Sequence, residues 1–208
     1  VIGNGESRKS VDLDQFRQNN ITIGCNAIHR DFSVDHLICC DNRMVKEALL
    51  NQANKKIYTR HRYYQEHRKI GKNKNIFLLP ELPYHGLEKQ DDPVHWGSGP
   101  YAVLLATILL PDEIFILGFD LYSNDGKINN CYKGTNNYSP KDSQSVDPSY
   151  WIYQIKKVFE LNSGIKFKIY NHHDWKMPRE WKLDNVTFSD ISELKSIDNK
   201  YHSSIIIQ

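Results

Sequence analysis

The run Ile114-Phe115-Ile116-Leu117 is apolar at every position. A strand of that composition has to be covered on both faces, which is the condition of a strand inside a parallel sheet. Other short apolar runs rich in β-branched residues recur along the chain and alternate with segments of helical periodicity. That alternation is the signature of βαβ units. The expected strands are 1–2, 21–25, 36–40, 56–59, 75–79, 113–117 and 165–170. The first has only two residues before its turn, so its true beginning is expected to precede this chain. The expected helices are 42–52, 62–70, 99–110 and 148–161. The third opens on Ser98, a good N-cap residue, with Pro100 in the first turn where a missing N–H costs nothing. Its body is apolar on most sides and belongs in the centre of the protein. The fourth opens on Asp147 as N-cap and Pro148, with Trp151, Ile155, Val158 and Phe159 spaced to face the sheet.

At 208 residues the chain has the size of one α/β domain. A hydrophobic content of 39% against 25% charged residues excludes a disordered chain. The longest apolar stretch, 102–110, is roughly half of a membrane span. No signal-peptide pattern opens the sequence, so a soluble, cytoplasmic protein with no transmembrane segment is expected. A net charge of +2 does not by itself imply nucleic-acid binding. Cys25, Cys39, Cys40 and Cys131 lack metal or disulfide spacing, and three of them lie in strand-like runs, which reads as reduced core thiols. After Trp175 the alternation fades. The expected organisation is therefore an α/β domain over 1–175 and a C-terminal extension over 176–208 packed on it, ending in the strand-like Ile205-Ile206-Ile207. Two long polar stretches, 80–97 and 123–146, read as lids or binding loops.

Ligands of open parallel sheets bind beyond the carboxyl ends of the strands. Five such ends carry polar or glycine residues: Gly3-Asn4-Gly5-Glu6-Ser7, Cys25-Asn26, Asp41-Asn42, Gly97-Ser98-Gly99 and Gly118-Phe119-Asp120-Leu121-Tyr122. The N–H groups of the first turn could approach an anion, as glycine-rich turns do for phosphates; the plain alternative is that the turn only bends the chain. Asn4 and Asn26 could read a base or ribose without charge, or cap their own turns. Gly97-Ser98-Gly99 offers the free N–H groups of a helix start to a phosphate or carboxylate. The basic run 55–74 reads as a solvated helix face, with attraction of an anionic substrate as the alternative. Neither His172-His173-Asp174 nor Asp12-Leu13-Asp14 has the placement of a metal site.

The order Gly-Asn-Gly-x-Ser, Cys-Asn, Ser-Gly before an apolar helix, then Gly-Phe-Asp-Leu-Tyr resembles the bacterial lipooligosaccharide sialyltransferases over about residues 1–170. It also resembles relatives akin to archaeal 6-hydroxymethylpterin pyrophosphokinases. The resemblance implies a single doubly wound, Rossmann-like α/β domain with helices on both faces, binding a CMP-sugar without metal or cofactor. It implies that Asn4 and Asn26 contact the nucleotide and its phosphate region and that Ser98 and Gly99 meet the cytidine end, with Asp41 standing near the nucleotide where the family more often has Asn; Gly3, Gly5 and Ser7 of the first turn are expected beside them. Tyr122 and Tyr132 would support the departing phosphate. The family's catalytic His is replaced here by Asp147, which either serves as the base or only caps its helix.

Three functions are compatible with these observations. The leading one is an inverting glycosyltransferase with a nucleotide-sugar donor and a glycan or small-molecule acceptor. The second is ATP- and Mg²⁺-dependent pyrophosphoryl transfer, with Asp41 and Asp120 as ligands. The third is a non-catalytic nucleotide-binding module. A homo-oligomer is compatible with all three.

Overall fold

Ile2 sits between Gly24 and Leu117 and bridges to both in parallel. Around it the computed structural model, which describes residues 1–18, 20–51 and 56–196, arranges two parallel sheets. The first contains β1 (Ile23–Cys25), β2 (His36–Ile38), β3 (Lys56–Thr59) and β4 (Ile76–Leu78) in that order. The second contains β5 (Glu113–Leu117), β6 (Lys166–Asn171) and β7 (Val186–Asp190). Through Ile2 the order reads β4-β3-β2-β1-Ile2-β5-β6-β7. The chain therefore winds outward in one direction, returns, and winds outward in the other. Ile2 marks the point where that direction reverses, which is where ligands of such sheets bind.

Successive strand residues serve opposite faces. Ile38, Cys40, Ile114, Ile116, Phe167 and Ile169 join one core with α3 (Ser98–Ile108) and α4 (Ser149–Leu161). Leu37, Cys39, Ile57, Ile76, Leu117 and Tyr170 join the other, with α1 (Asn42–Asn51). The fold is mixed α/β with helices on both faces, as the apolar strands require. α3 is buried at Ser98 and from Pro100 to Thr107, which accounts for its apolar circumference. The remaining helix, α2 (His61–Tyr64), continues into a π-helical stretch, Gln65–Ile70.

Three local expectations change. β7 was not expected, yet Val186–Asp190 pairs with β6 along its whole length. It is an edge strand with Thr187 exposed, so its apolar alternation spans only Val186 and Phe188. Ser98 is the first residue of α3 rather than its cap: Gly97 holds the cap position, and the hydroxyl turns inward. α4 begins at Ser149, with Pro148 in the cap position and Asp147 one residue further out. The Ile205-Ile206-Ile207 segment lies outside the described residues. Cys25, Cys39 and Cys40 are free and buried, and Cys131 is free and half-buried. No helix among the described residues is long and apolar enough to cross a membrane.

The two long polar stretches are anchored rather than loose. Residues 80–97 form two 3-10 turns, Lys89–Asp91 and Pro93–His95. They are pinned to α4 by Tyr153 on Asp91 (3.0 Å) and Gln154 on the His95 carbonyl (3.1 Å). Residues 123–146 fold under the first turn, where the Cys131 N–H donates to the Asn4 carbonyl at 2.8 Å.

Candidate functional site

A cleft of about 440 Å³ opens at the reversal point, bordered by the ends of Ile2, β1, β2 and β5 and by the start of α3. It brings together Gly3, Asn4, Gly5, Asn26, Asp41, Ser98 and Gly99. The Ser98 hydroxyl ties several of these elements together. It accepts from the Cys40 N–H at 3.0 Å and donates to Asn26 Oδ1 at 2.9 Å. Asn26 itself is left-handed, with φ 52°, and so is Leu121, with φ 67°. Both border the cleft. Left-handed non-glycine residues also occur away from the cleft, at Lys72, Leu110 and Asn137, and asparagine tolerates the conformation better than leucine, so of the two it is Leu121 whose backbone is the more strained. The Asn4 amide donates to the Cys25 carbonyl at 3.0 Å and to the Tyr138 hydroxyl at 3.3 Å, so part of its hydrogen-bonding capacity goes to the protein.

Of the five N–H groups in the first turn, four already have protein acceptors and only that of Asn4 has none among the described residues, so the turn is not the full anion cradle its glycines suggest. The N–H groups of Gly3 and Gly5 donate to the carbonyls of Leu117 and Gly118. Those of Glu6 and Ser7 donate to the side chains of Asn129 and Asp120. Glycine is needed here because a Cβ on Gly3 would overlap the Gly118 carbonyl, and one on Gly5 would overlap the Asp120 carboxylate. Ser7 faces Asp120 through its hydroxyl as well and does not line the cleft.

At the start of α3 the opposite holds. The N–H groups of Ser98 and Gly99 have no acceptor among the described residues, and Pro100 has no N–H to satisfy. Arg60 lines the same cleft. Its guanidinium is clamped by three carbonyls, Cys40 (3.2 Å), Pro93 (2.9 Å) and Trp96 (2.8 Å), and forms no ion pair among the described residues. Carbonyls fix its orientation without neutralising its charge, and two of its five N–H donors remain for a ligand. Arg60 was not singled out from the sequence because it stands inside the basic run. The signal was available, since it comes directly after the last residue of β3 and so occupies a strand end. Lys55, from the same run, lies outside the described residues.

Other cleft residues come from the long loops and α4: His95 and Trp96, Asn129 and Asn130, and Trp151. Cys25 and Cys40 also border it, and burial pushes their thiols up to about 12 and about 11 respectively, so both are neutral. With Arg60, Asp41 and Asp120 on its walls, the cleft is charged. That corrects the uncharged, amide-lined site that Asn4, Asn26 and Ser98 suggest by themselves.

The three residues expected to be catalytic do not meet in this cleft. Asp147 is exposed, accepts from the N–H and hydroxyl of Ser149 at 2.9 and 3.0 Å, and so braces the start of α4. Trp151, one turn along the helix, reaches the cleft in its place. Tyr132 is buried elsewhere: its hydroxyl accepts from Arg8 at 2.6 Å and donates to Asp31 at 2.7 Å. Tyr122 faces a neighbouring chamber, its hydroxyl donating to the Lys176 carbonyl. Burial raises the pKa of both tyrosines. No group of three or more potential metal ligands occurs among the described residues; Asp12, for its part, caps the turn at Asp14. No protein-family model, curated protein or solved structure matches the chain.

Proposed function

We propose that the cleft binds a nucleotide-sugar, with a CMP-sugar the best match, and that the protein is an inverting glycosyltransferase. One observation carries this reading: the unpaired N–H groups of Ser98 and Gly99 share a cleft with an Arg60 guanidinium that has no carboxylate partner among the described residues. A phosphate is the ligand that uses both, through helix-start donors and a planar cation. The volume of about 440 Å³ suits a ligand of nucleotide size.

In the transfer, the acceptor oxygen bonds to the anomeric carbon while the bond from that carbon to the phosphate oxygen breaks. The electron pair leaves on the nucleotide phosphate, through an oxocarbenium-like state. Arg60 and the start of α3 stabilise that growing charge. The acceptor proton goes to Asp120, which borders both the cleft and the neighbouring chamber. Its carboxylate accepts from the Ser7 N–H, the Ser7 hydroxyl and Asn171, and of roughly four lone-pair sites one remains for the acceptor.

Asp41 and Asp120 line the same cleft, and this favours Mg²⁺-dependent pyrophosphoryl transfer from ATP as a second reading. Calorimetry with CMP and with ATP, each with and without Mg²⁺, separates the two. Magnesium-independent CMP binding is the expected result; ATP binding that requires Mg²⁺, with no CMP binding, would favour the second. Arg60→Gln should weaken CMP about tenfold or more and leave the nucleoside cytidine unchanged. Asp120→Asn should keep CMP binding and lose turnover. If CMP and cytidine bind the wild-type protein equally, the phosphate site does not exist.

A further inference from the structure

We infer that the chamber beside the cleft receives the acceptor, and that this acceptor is an uncharged sugar held on the face of Tyr122. The inference rests on the glycosyltransferase reading for its role, but the binding it describes is tested separately. The chamber measures about 380 Å³ and shares Asp120 and Asn129 with the nucleotide cleft. A group bound there therefore meets the donor at the one ionisable side chain common to both, among the described residues.

Its wall carries a braced aromatic plate. Tyr122 stacks on Trp175 with ring centres 6.4 Å apart and planes 16° from parallel. Trp175 is in turn backed by Trp181 and Phe188, and its indole N–H donates to the Asp120 carbonyl at 2.9 Å. The Tyr122 hydroxyl is held by the Lys176 carbonyl, and the ring is only half-buried. A fixed aromatic face of this kind covers the C–H side of a sugar ring at little cost in conformational entropy. Around it stand donors for hydroxyl groups. Asn129 and Asn171 each use one amide N–H internally, on the Tyr122 carbonyl and on Asp120, and each keeps the other; Asn124 is exposed at the rim.

Charge decides which sugars fit. Asp120 and Asp174 line the chamber, together with Glu6, whose carboxylate is already paired with Lys9 and Lys133, and no arginine does among the described residues. Lys176 and His172 are also present, but nothing matches the fixed guanidinium of the cleft next door. An anionic acceptor would bring its charge against Asp120 and Asp174 without a bidentate partner.

Saturation-transfer NMR tests this with lactose, N-acetyllactosamine and maltose as neutral probes and 3′-sialyllactose and glucose 6-phosphate as anionic ones, each with and without CMP. At least one neutral disaccharide should bind, with transfer strongest to the C–H face of one ring, and the anionic probes should bind about tenfold more weakly. Tyr122→Ala should lower that affinity about tenfold, whereas Tyr122→Phe should retain it, because the ring and not the hydroxyl makes the contact. Equal or tighter binding of the anionic probes overturns the inference. So does loss of binding in Tyr122→Phe, or the absence of any neutral sugar signal from a protein that binds CMP. Failure of CMP alone, with sugar binding intact, would count against the nucleotide reading and leave the chamber standing.

Discussion

Two glycine-bearing turns border the same cleft, Gly3–Ser7 and Gly97–Gly99, and they do opposite things. In the first, four of the five backbone N–H groups, all but that of Asn4, already have protein acceptors, and the glycines make room for Gly118 and Asp120. In the second, two N–H groups have no acceptor among the described residues, and a clamped arginine stands in the same cleft. Glycine at a strand end signals close approach, but not whether the approaching group is the protein's own backbone or a ligand. The state of the N–H groups separates the two.

That contrast can be broken from either side. The largest effect is expected at Gly3→Ala, where the new methyl has no room beside the Gly118 carbonyl. Urea denaturation should show a loss of about 3 kcal/mol. Gly164→Ala, which meets nothing within 4 Å, is the control and should change little. Equal behaviour of the two variants would mean that the first turn is not packed as described. Ser98→Ala comes next. It leaves the buried Cys40 N–H without its acceptor and should cost about 2 kcal/mol, while CMP binding weakens only a few-fold because the Gly99 N–H and Arg60 remain. A large loss of affinity with no loss of stability would move the hydroxyl from scaffold to ligand.

The smallest effect concerns the brace beneath the first turn. Arg30 pairs with Glu47 and also holds Thr135 and Asn136 of the 123–146 loop. Hydrogen bonding from Arg30 holds the Glu47 carboxyl below its usual pKa. A folded-state pKa below the unfolded one gives stability that is present above about pH 4.3 and fades as acid protonates the folded carboxylate. The contribution should be about 1 kcal/mol. Glu47→Gln should therefore flatten the acid limb of the stability curve while leaving its shape above pH 6 unchanged, and an unaltered acid limb would remove Glu47 from the brace.

Much of the sheet is legible in the sequence because buried parallel strands are apolar at nearly every position, as Glu113–Leu117 illustrates after its first residue. β7 is not, because an edge strand keeps its polar residues and its alternation ends after two apolar positions. At the site, Asn4, Asn26, Ser98 and Gly99 are found by looking just past each strand or at the start of each buried helix, and the same look past β3 yields Arg60. Tyr132 and Asp147 illustrate the limit. Their expected roles came from the order of short motifs, and order along the chain does not reveal that Tyr132 ends up between Arg8 and Asp31, or that Asp147 stops at Ser149.

The left-handed backbone of Asn26 narrows what drift can place at that codon. Glycine would suit the conformation and sever the link to Ser98; aspartate would keep the link and set a negative charge beside an incoming phosphate; a β-branched residue would fit neither demand. Asparagine is left as the residue that meets all the requirements, so a library randomised at this codon and selected for nucleotide binding should return it nearly alone.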